Sequence, residues 1–254
     1  MGIKLISNNT LAPWNSKVVP PVSRGLEGWF NFDTDAGRFG CNRALGKPDA
    51  NIIGAPVAFA THGRFKGLSN YLQTKIAETD EVTLIVVGKA AAAIPAGAST
   101  TGDANTPFYV GNYRGNSVTP GVTGSAYGAS LYHVATASLT GGAARENGTG
   151  GATSSVNSVL GEVPTEWGIR VLRASSAMYT KTQNLTKNLM SQGNDLRARA
   201  LSDSLFRIGS GTAAFGAEVD ISAVIIHSVV LTDDELAKQV EIARKRMARL
   251  GIVV

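Results

Sequence analysis

The stretch Glu218-Val-Asp-Ile-Ser-Ala-Val-Ile-Ile-His227, followed closely by Leu231-Thr-Asp-Asp-Glu-Leu236, decides the fold. From Val219 to Val230 the residues are mostly apolar and β-branched, with Asp220, Ser222 and His227 set among them, which suits a strand buried on both faces. A closing helix over residues 232–250 follows. Thr232 and Glu235 form a capping box, Asp233 and Asp234 sit at the positive end of the helix dipole, and Lys245, Arg246 and Arg249 sit at the negative end. Leu236, Val240, Ala243, Met247 and Leu250 recur at helical spacing, so one stripe packs while Lys238, Glu241 and Lys245 face water.

Upstream of this unit the chain reads as short strands separated by turn signals. Trp167 to Arg173 alternates, with Trp167, Ile169 and Val171 on one face and Arg170 on the other, which predicts a half-exposed strand. Ala177 to Asn184 is its hairpin partner, and residues 194–204 read as a polar or helical connection. Val82 to Val87 is short and β-branched enough for a central strand. Leu26 to Phe32 is the first strand, Asn51 to Phe59 a second broken by Pro56, and Gly67 to Thr74 a third. Between Ala90 and Ser158, Gly, Ala, Ser and Thr dominate, and only Pro107 to Val110 and Ala129 to Val134 look like strands. Long loops of small residues are unusual unless they bind something or lie against a neighbour. With no fixed repeat, the pattern predicts an all-β jelly-roll sandwich ending in one helix.

A chain of 254 residues, 43% of them hydrophobic, can bury a full core as a single domain, here residues 24–254. Residues 1–23 have no periodicity and read as an extended arm. Trp14, Val18, Val19, Pro20 and Pro21 give it a surface to bury against a neighbouring subunit, the alternative being a frayed tail. The formal net charge of +5 is diffuse outside the final helix, so nucleic acid is not an expected partner. Cys41 stands alone, which excludes an intramolecular disulfide. With neither a continuous apolar leader nor a membrane-length apolar run, synthesis in the cytoplasm without membrane insertion is expected.

Taken in order, Gly25 to Phe32, Thr83 to Val87, Trp167 to Arg173, Phe206-Arg-Ile-Gly-Ser210 and the Asp220-Ile-Ser-Ala-Val-Ile-Ile-His227 strand with Leu231-Thr-Asp-Asp-Glu-Leu resemble the concanavalin A-like jelly roll of laminin-G-type modules. The resemblance spans about residues 25–252. Stand-alone versions with a proline-containing arm also resemble virion proteins of tailed bacteriophages, in tails, baseplates and fibres. That resemblance implies a structural or adhesion component of a phage particle, made in the host cytoplasm. It would form a homo-oligomer, contact other virion proteins through its arm and loops, and take host-surface polysaccharide as a further partner. A free-standing carbohydrate-binding, lectin-like module is the alternative, and glycoside hydrolysis the third reading.

The sandwich class includes retaining glycosidases with three carboxylates on one strand, placed on one face by alternation. Glu218 and Asp220 supply two, but Ser222 and Ala223 stand where the acid would be. One carboxylate cannot both attack and protonate the leaving group, so a non-enzyme is expected, with solvent-facing carboxylates at the strand's start. His62, His133 and His227 lie at no metal-ligand spacing, no calcium loop exists, and neither metal nor cofactor is expected. For ligand contact the candidates are Tyr109, Tyr113, Arg114, Tyr127 and Tyr132, polar aromatic and basic side chains in or beside the small-residue loops.

Overall fold

The computed structural model describes residues 17–135 and 138–254. Among these residues two antiparallel sheets stack face to face. The first runs β15 (Leu189–Gln192), β14 (Met178–Asn184), β13 (Gly168–Ser175), β6 (Val82–Ala90), β17 (Glu218–His227), β4 (Gly63–Lys66) and β3 (Val57–Ala58), with β1 (Leu26–Asn31) also paired to β17. The second runs β12 (Ala152–Val159), β11 (Ser138–Glu146), β10 (Ser130–Val134), β7 (Phe108–Gly111), β16 (Arg207–Ile208), β5 (Tyr71–Gln73) and β2 (Asn51–Ile53). A short ribbon of β8 (Gly115–Asn116) and β9 (Ser125–Ala126) stands apart, and α1 (Asp233–Arg249) closes the chain. The architecture is the all-β sandwich with one C-terminal helix that the sequence predicts.

β17 is central because both its faces are apolar. Val219, Ile221, Val224 and Ile226 join the core between the sheets, whereas Ala223 and Ile225 join a second core under α1. The inward pattern slips by one between Ile221 and Val224, and the pairing with β6 breaks register between Ile221 and Ala223. That is a β-bulge, which adds one residue and bends the strand. One edge of β17 pairs with β6, and the other is shared by β4 at Glu218 to Ile221 and β1 at Ala223 to His227.

The helix has the expected cap: the Thr232 hydroxyl accepts from Glu235 N–H at 3.2 Å, and the Glu235 carboxylate accepts from Thr232 N–H at 2.9 Å. Leu236, Val240, Ala243 and Met247 are buried against Trp29, Ile85, Ile169 and Val171. Residues of the predicted arm lie along the same body. Val18 N–H donates to the Arg43 carbonyl at 2.9 Å, Val22 is buried, and its carbonyl accepts from Gln239. Val19 is 91% exposed, Pro20 is half-buried and Pro21 is exposed. Trp14 lies outside the described residues.

Several element assignments need correction. Asn51 to Phe59 is not one strand: β2 and β3 belong to different sheets, with the chain turning at Gly54 (φ 68°) and Pro56 between them. The strand expected at Gly67 to Thr74 is shorter, β5 at Tyr71–Gln73, and a turn with Leu68 at φ 65° separates it from β4. Of the two readings of residues 194–204 the polar connection holds and the helix does not: the segment has only isolated bridges at Arg199 and Ser202, with Ala200 N–H on Ala144 O. β13 is not half-exposed, for every residue in it is buried. Arg170 points into the sandwich, where Glu162 pairs with it at 3.2 Å and the Tyr109 ring lies 5.3 Å away. The loop before β13 supplies that carboxylate, so the polar face of the strand is neutralised by protein rather than by water.

Candidate functional site

The outer face of the second sheet carries an aromatic cluster. The β7–β10 pairing breaks register between Leu131 and Tyr132, so Val110 and Leu131 face the inter-sheet core while Phe108 and Tyr132 face outward. Phe215 enters from the loop before β17 and packs on Phe108 at 5.0 Å, Tyr132 at 4.7 Å and Tyr113 at 4.8 Å. Ala214 and Phe215 adopt φ of 56° and 43° to achieve this, a conformation L-residues adopt only when packing enforces it. Tyr113 meets Tyr127 edge to face at 5.3 Å, and both rings are half-buried. Beside them Arg114 is exposed at φ 62°, its carbonyl accepting from the Thr212 hydroxyl at 2.8 Å. The adjoining strands β11 and β12 are rich in small and polar residues. Thr140 and Ser158 share a hydrogen bond of 3.0 Å, and a Cβ at Gly142 would stand 3.1 Å from Val156 and 3.9 Å from the Tyr132 hydroxyl.

A buried carboxylate holds the loops beneath this cluster. Glu78 accepts from Ala129 N–H at 2.8 Å, Ser202 N–H at 2.9 Å and Asn112 Nδ2 at 2.9 Å, and pairs with Arg199. Arg199 donates onward to the Asp80 carbonyl at 3.0 Å. The clamp therefore joins both ends of the loop carrying Tyr113 and Tyr127 to the 199–202 segment, and both charges are fully enclosed. Composition gives no signal for it, since the partners are far apart in sequence.

Of the predicted ligand residues, the fold brings Tyr113, Tyr127 and Tyr132 together with Arg114 at the rim. Tyr109 does not join them. It lies wholly inside, its hydroxyl bonded to His133 Nδ1 at 2.8 Å, and burial raises its pKa. The bulge that turns Phe108 outward turns Tyr109 inward, which corrects its assignment as a ligand contact.

At the start of β17 the carboxylates differ from each other. Glu218 is exposed as expected, but Asp220 is 1% exposed and accepts both arms of Arg64 at 2.7 and 3.0 Å. His62 and Lys89 stand 3.6 and 3.8 Å from it. Ser222, in the third carboxylate's place, donates to the Thr61 carbonyl and accepts from Arg246. Asp220 is thus the anchor of an ion-pair cluster. Among the described residues no group of His, Cys, Asp and Glu could hold a metal ion.

The three histidines share an electrostatic property. Burial lowers the pKa of His133 well below its ordinary value, with Arg170 adding to the effect, and burial also lowers that of His62 and His227. His227 has Nδ1 on the Arg24 carbonyl at 2.8 Å and Nε2 toward Gln239 at 2.9 Å. Below about pH 6.5, the ordinary histidine value, the unfolded chain binds protons that the folded chain refuses. Stability is therefore full above pH 6.5 and is lost as pH falls toward the depressed folded values. Thermal midpoints at pH 7.5, 6.5 and 5.5 should fall in that order, and His227→Gln should flatten the slope; a midpoint rising toward pH 5.5 contradicts this.

No protein-family model matches the sequence, and no curated protein is similar to it. Solved structures do resemble the fold. Trypanosoma rangeli sialidase is 16% identical, with a TM-score of 0.54 over 84% of this chain and 32% of the sialidase chain. The botulinum neurotoxin serotype D binding domain is 11% identical, with a TM-score of 0.58 over 88% of this chain and 52% of that one. The receptor-binding domain of the C/D mosaic neurotoxin is 10% identical, with a TM-score of 0.54 over 88% of this chain and 53% of that one. This chain thus spans about a third of the sialidase and about half of the neurotoxin domains. At these identities the likeness is one of fold. It overturns the expectation of a non-enzyme, because a glycoside hydrolase stands among the chains that contain this sandwich. The missing third carboxylate of β17 excludes one catalytic arrangement and no more.

Proposed function

We propose that this chain is a lectin-like carbohydrate-binding module whose ligand lies on the outer face of the second sheet. The observation that carries the reading is the half-buried Tyr113–Tyr127 pair, Tyr113 seated on Phe215, beside exposed Arg114. Fixed aromatic rings offer an apolar plane and a hydroxyl at little cost in side-chain entropy, which suits the alternating C–H and O–H faces of a sugar. The exposed Ser158 hydroxyl, bonded to Thr140 across from Tyr132, adds a polar contact on the same sheet. Support from fold comes from the neighbours, among them a sialidase solved with sialic acid and neurotoxin receptor-binding domains. The structural role in a phage particle has no such support, and glycan binding takes its place as the main reading.

A glycan array probed with the whole chain tests the proposal. A saturable ligand is expected, with Tyr127→Ala weakening it at least tenfold, or about 1.4 kcal/mol, while the thermal midpoint moves little. An empty array, or binding indifferent to both Tyr127→Ala and Arg114→Ala, refutes it.

A further inference from the structure

α1 covers only part of the first sheet. It packs over Ile85, Val87, Ile169, Val171, Ala223 and Ile225, whereas the neighbouring ends of β4, β17 and β6 are polar. Register sets the uncovered side chains in rows across the strands. Arg64 and Lys89 flank Asp220, and Lys66 lies opposite Glu218. Aromatic rings border these rows. Phe59, 40% exposed, stacks on His62 at 4.7 Å, and His62 meets Trp167 at 5.3 Å. Arg64 stands over Phe59 at 5.1 Å and Lys89 over Trp167 at 5.6 Å. Beside Arg64 and Lys66, the surface dips into a depression of about 510 Å³ floored by Gly216 to Glu218 and walled by Ala91 to Ala93.

We propose that this uncovered half of the first sheet is a second binding surface, for an acidic saccharide, separate from the tyrosine face. The charge state of each cation favours that ligand. Arg64 is spent on Asp220, but the Lys89 ammonium is 3.8 Å from that carboxylate, beyond hydrogen-bond reach, and Lys66 is exposed with no ion pair among the described residues. The Lys66 ammonium therefore remains to meet an anion, and Lys89, ion-paired with Asp220 but not hydrogen-bonded to it, keeps its N–H donors for a ligand. Glu218, 46% exposed and cross-strand from Lys66, is an acceptor beside them. A sugar hydroxyl donates to such a carboxylate, whereas a phosphodiester group has no proton to give. The exposed Phe59 and half-buried Trp167 add apolar planes of the kind a pyranose covers. The depression lies within the size range of small-ligand sites, roughly 300–1,000 Å³.

The test is titration calorimetry of the full chain with oligogalacturonates, their methyl esters and dextran sulfate. The free acids are expected to bind, with esterification and the pair Lys66→Ala/Lys89→Ala each weakening binding at least tenfold. Lys238→Ala/Lys245→Ala, on the exposed face of α1, should leave it unchanged. Binding of both polymers assigns the surface to anionic sugars in general; binding of the uronate alone assigns it to carboxylates. The proposal is overturned if no acidic sugar binds, if the helix pair weakens binding equally, or if a DNA oligomer of equal charge competes as well. Should the double variant melt early, Lys66→Glu carries the same test from an exposed position. Tyr127→Ala is expected to leave uronate affinity intact, so this surface and the tyrosine face stand or fall separately.

Discussion

Glu78→Ala is expected to lower the thermal midpoint by roughly 10 °C, from a loss of about 3–5 kcal/mol. The carboxylate serves two backbone N–H groups, one side-chain amide and one guanidinium, and neither it nor Arg199 reaches water. Removing it leaves Arg199 as an enclosed, unpaired cation and leaves Ala129 and Ser202 with unmet donors. Glu78→Gln keeps the shape and one acceptor oxygen but loses the charge, and should fall between. Hydrogen exchange should localise the damage, with amides of residues 112–129 losing protection before those of β6 or β17. A midpoint within about 2 °C of the parent would show that the clamp is dispensable.

Gly67→Ala should be nearly as damaging for a steric reason. A Cβ there would lie 1.6 Å from the Phe215 carbonyl oxygen and 2.7 Å from its carbon, both backbone atoms that cannot rotate away. The loop before β17 must move, and Phe215 with it, away from Phe108, Tyr113 and Tyr132. Overpacking costs about 1–3 kcal/mol, and displacing a buried Phe adds to it, so a loss of several kcal/mol with a weakened near-ultraviolet dichroism signal is expected. Gly97→Ala, where a Cβ meets nothing within 4 Å, is the control and should be silent. Equal midpoints for the two variants would show that the loop yields freely.

The closing unit was legible because its signals are local. A β-branched run and a capping box depend on residues within a few positions of each other, and β17 with α1 follows from them. β11 and β12 were not legible, because their Gly, Ala, Ser and Thr residues pack against sheet and loop without the bulky β-branched pattern that marks a strand. Arg170 shows a second limit. Alternation separates two faces of a strand but does not say that the polar face is wet, and here Glu162 of the preceding loop meets it. Aromatic content among small-residue loops was enough to single out Tyr113, Tyr127 and Tyr132, but not to see that a register break sends Tyr109 the other way. Glu78 and Arg199 gave no sign at all, since a carboxylate and a guanidinium 121 residues apart look like two surface charges until the chain closes.

The place of β17 in the first sheet has a consequence for biosynthesis. β6 ends at Ala90 and the strand that joins β1, β4 and β6 begins only at Glu218, so those three strands emerge well before the partner that completes their pairing. Until residues 218–227 arrive, the nascent chain carries open strand edges and an uncovered apolar face. The first sheet therefore closes late, through contacts of long sequence separation, a slow route that leaves the half-made chain open to edge-to-edge association.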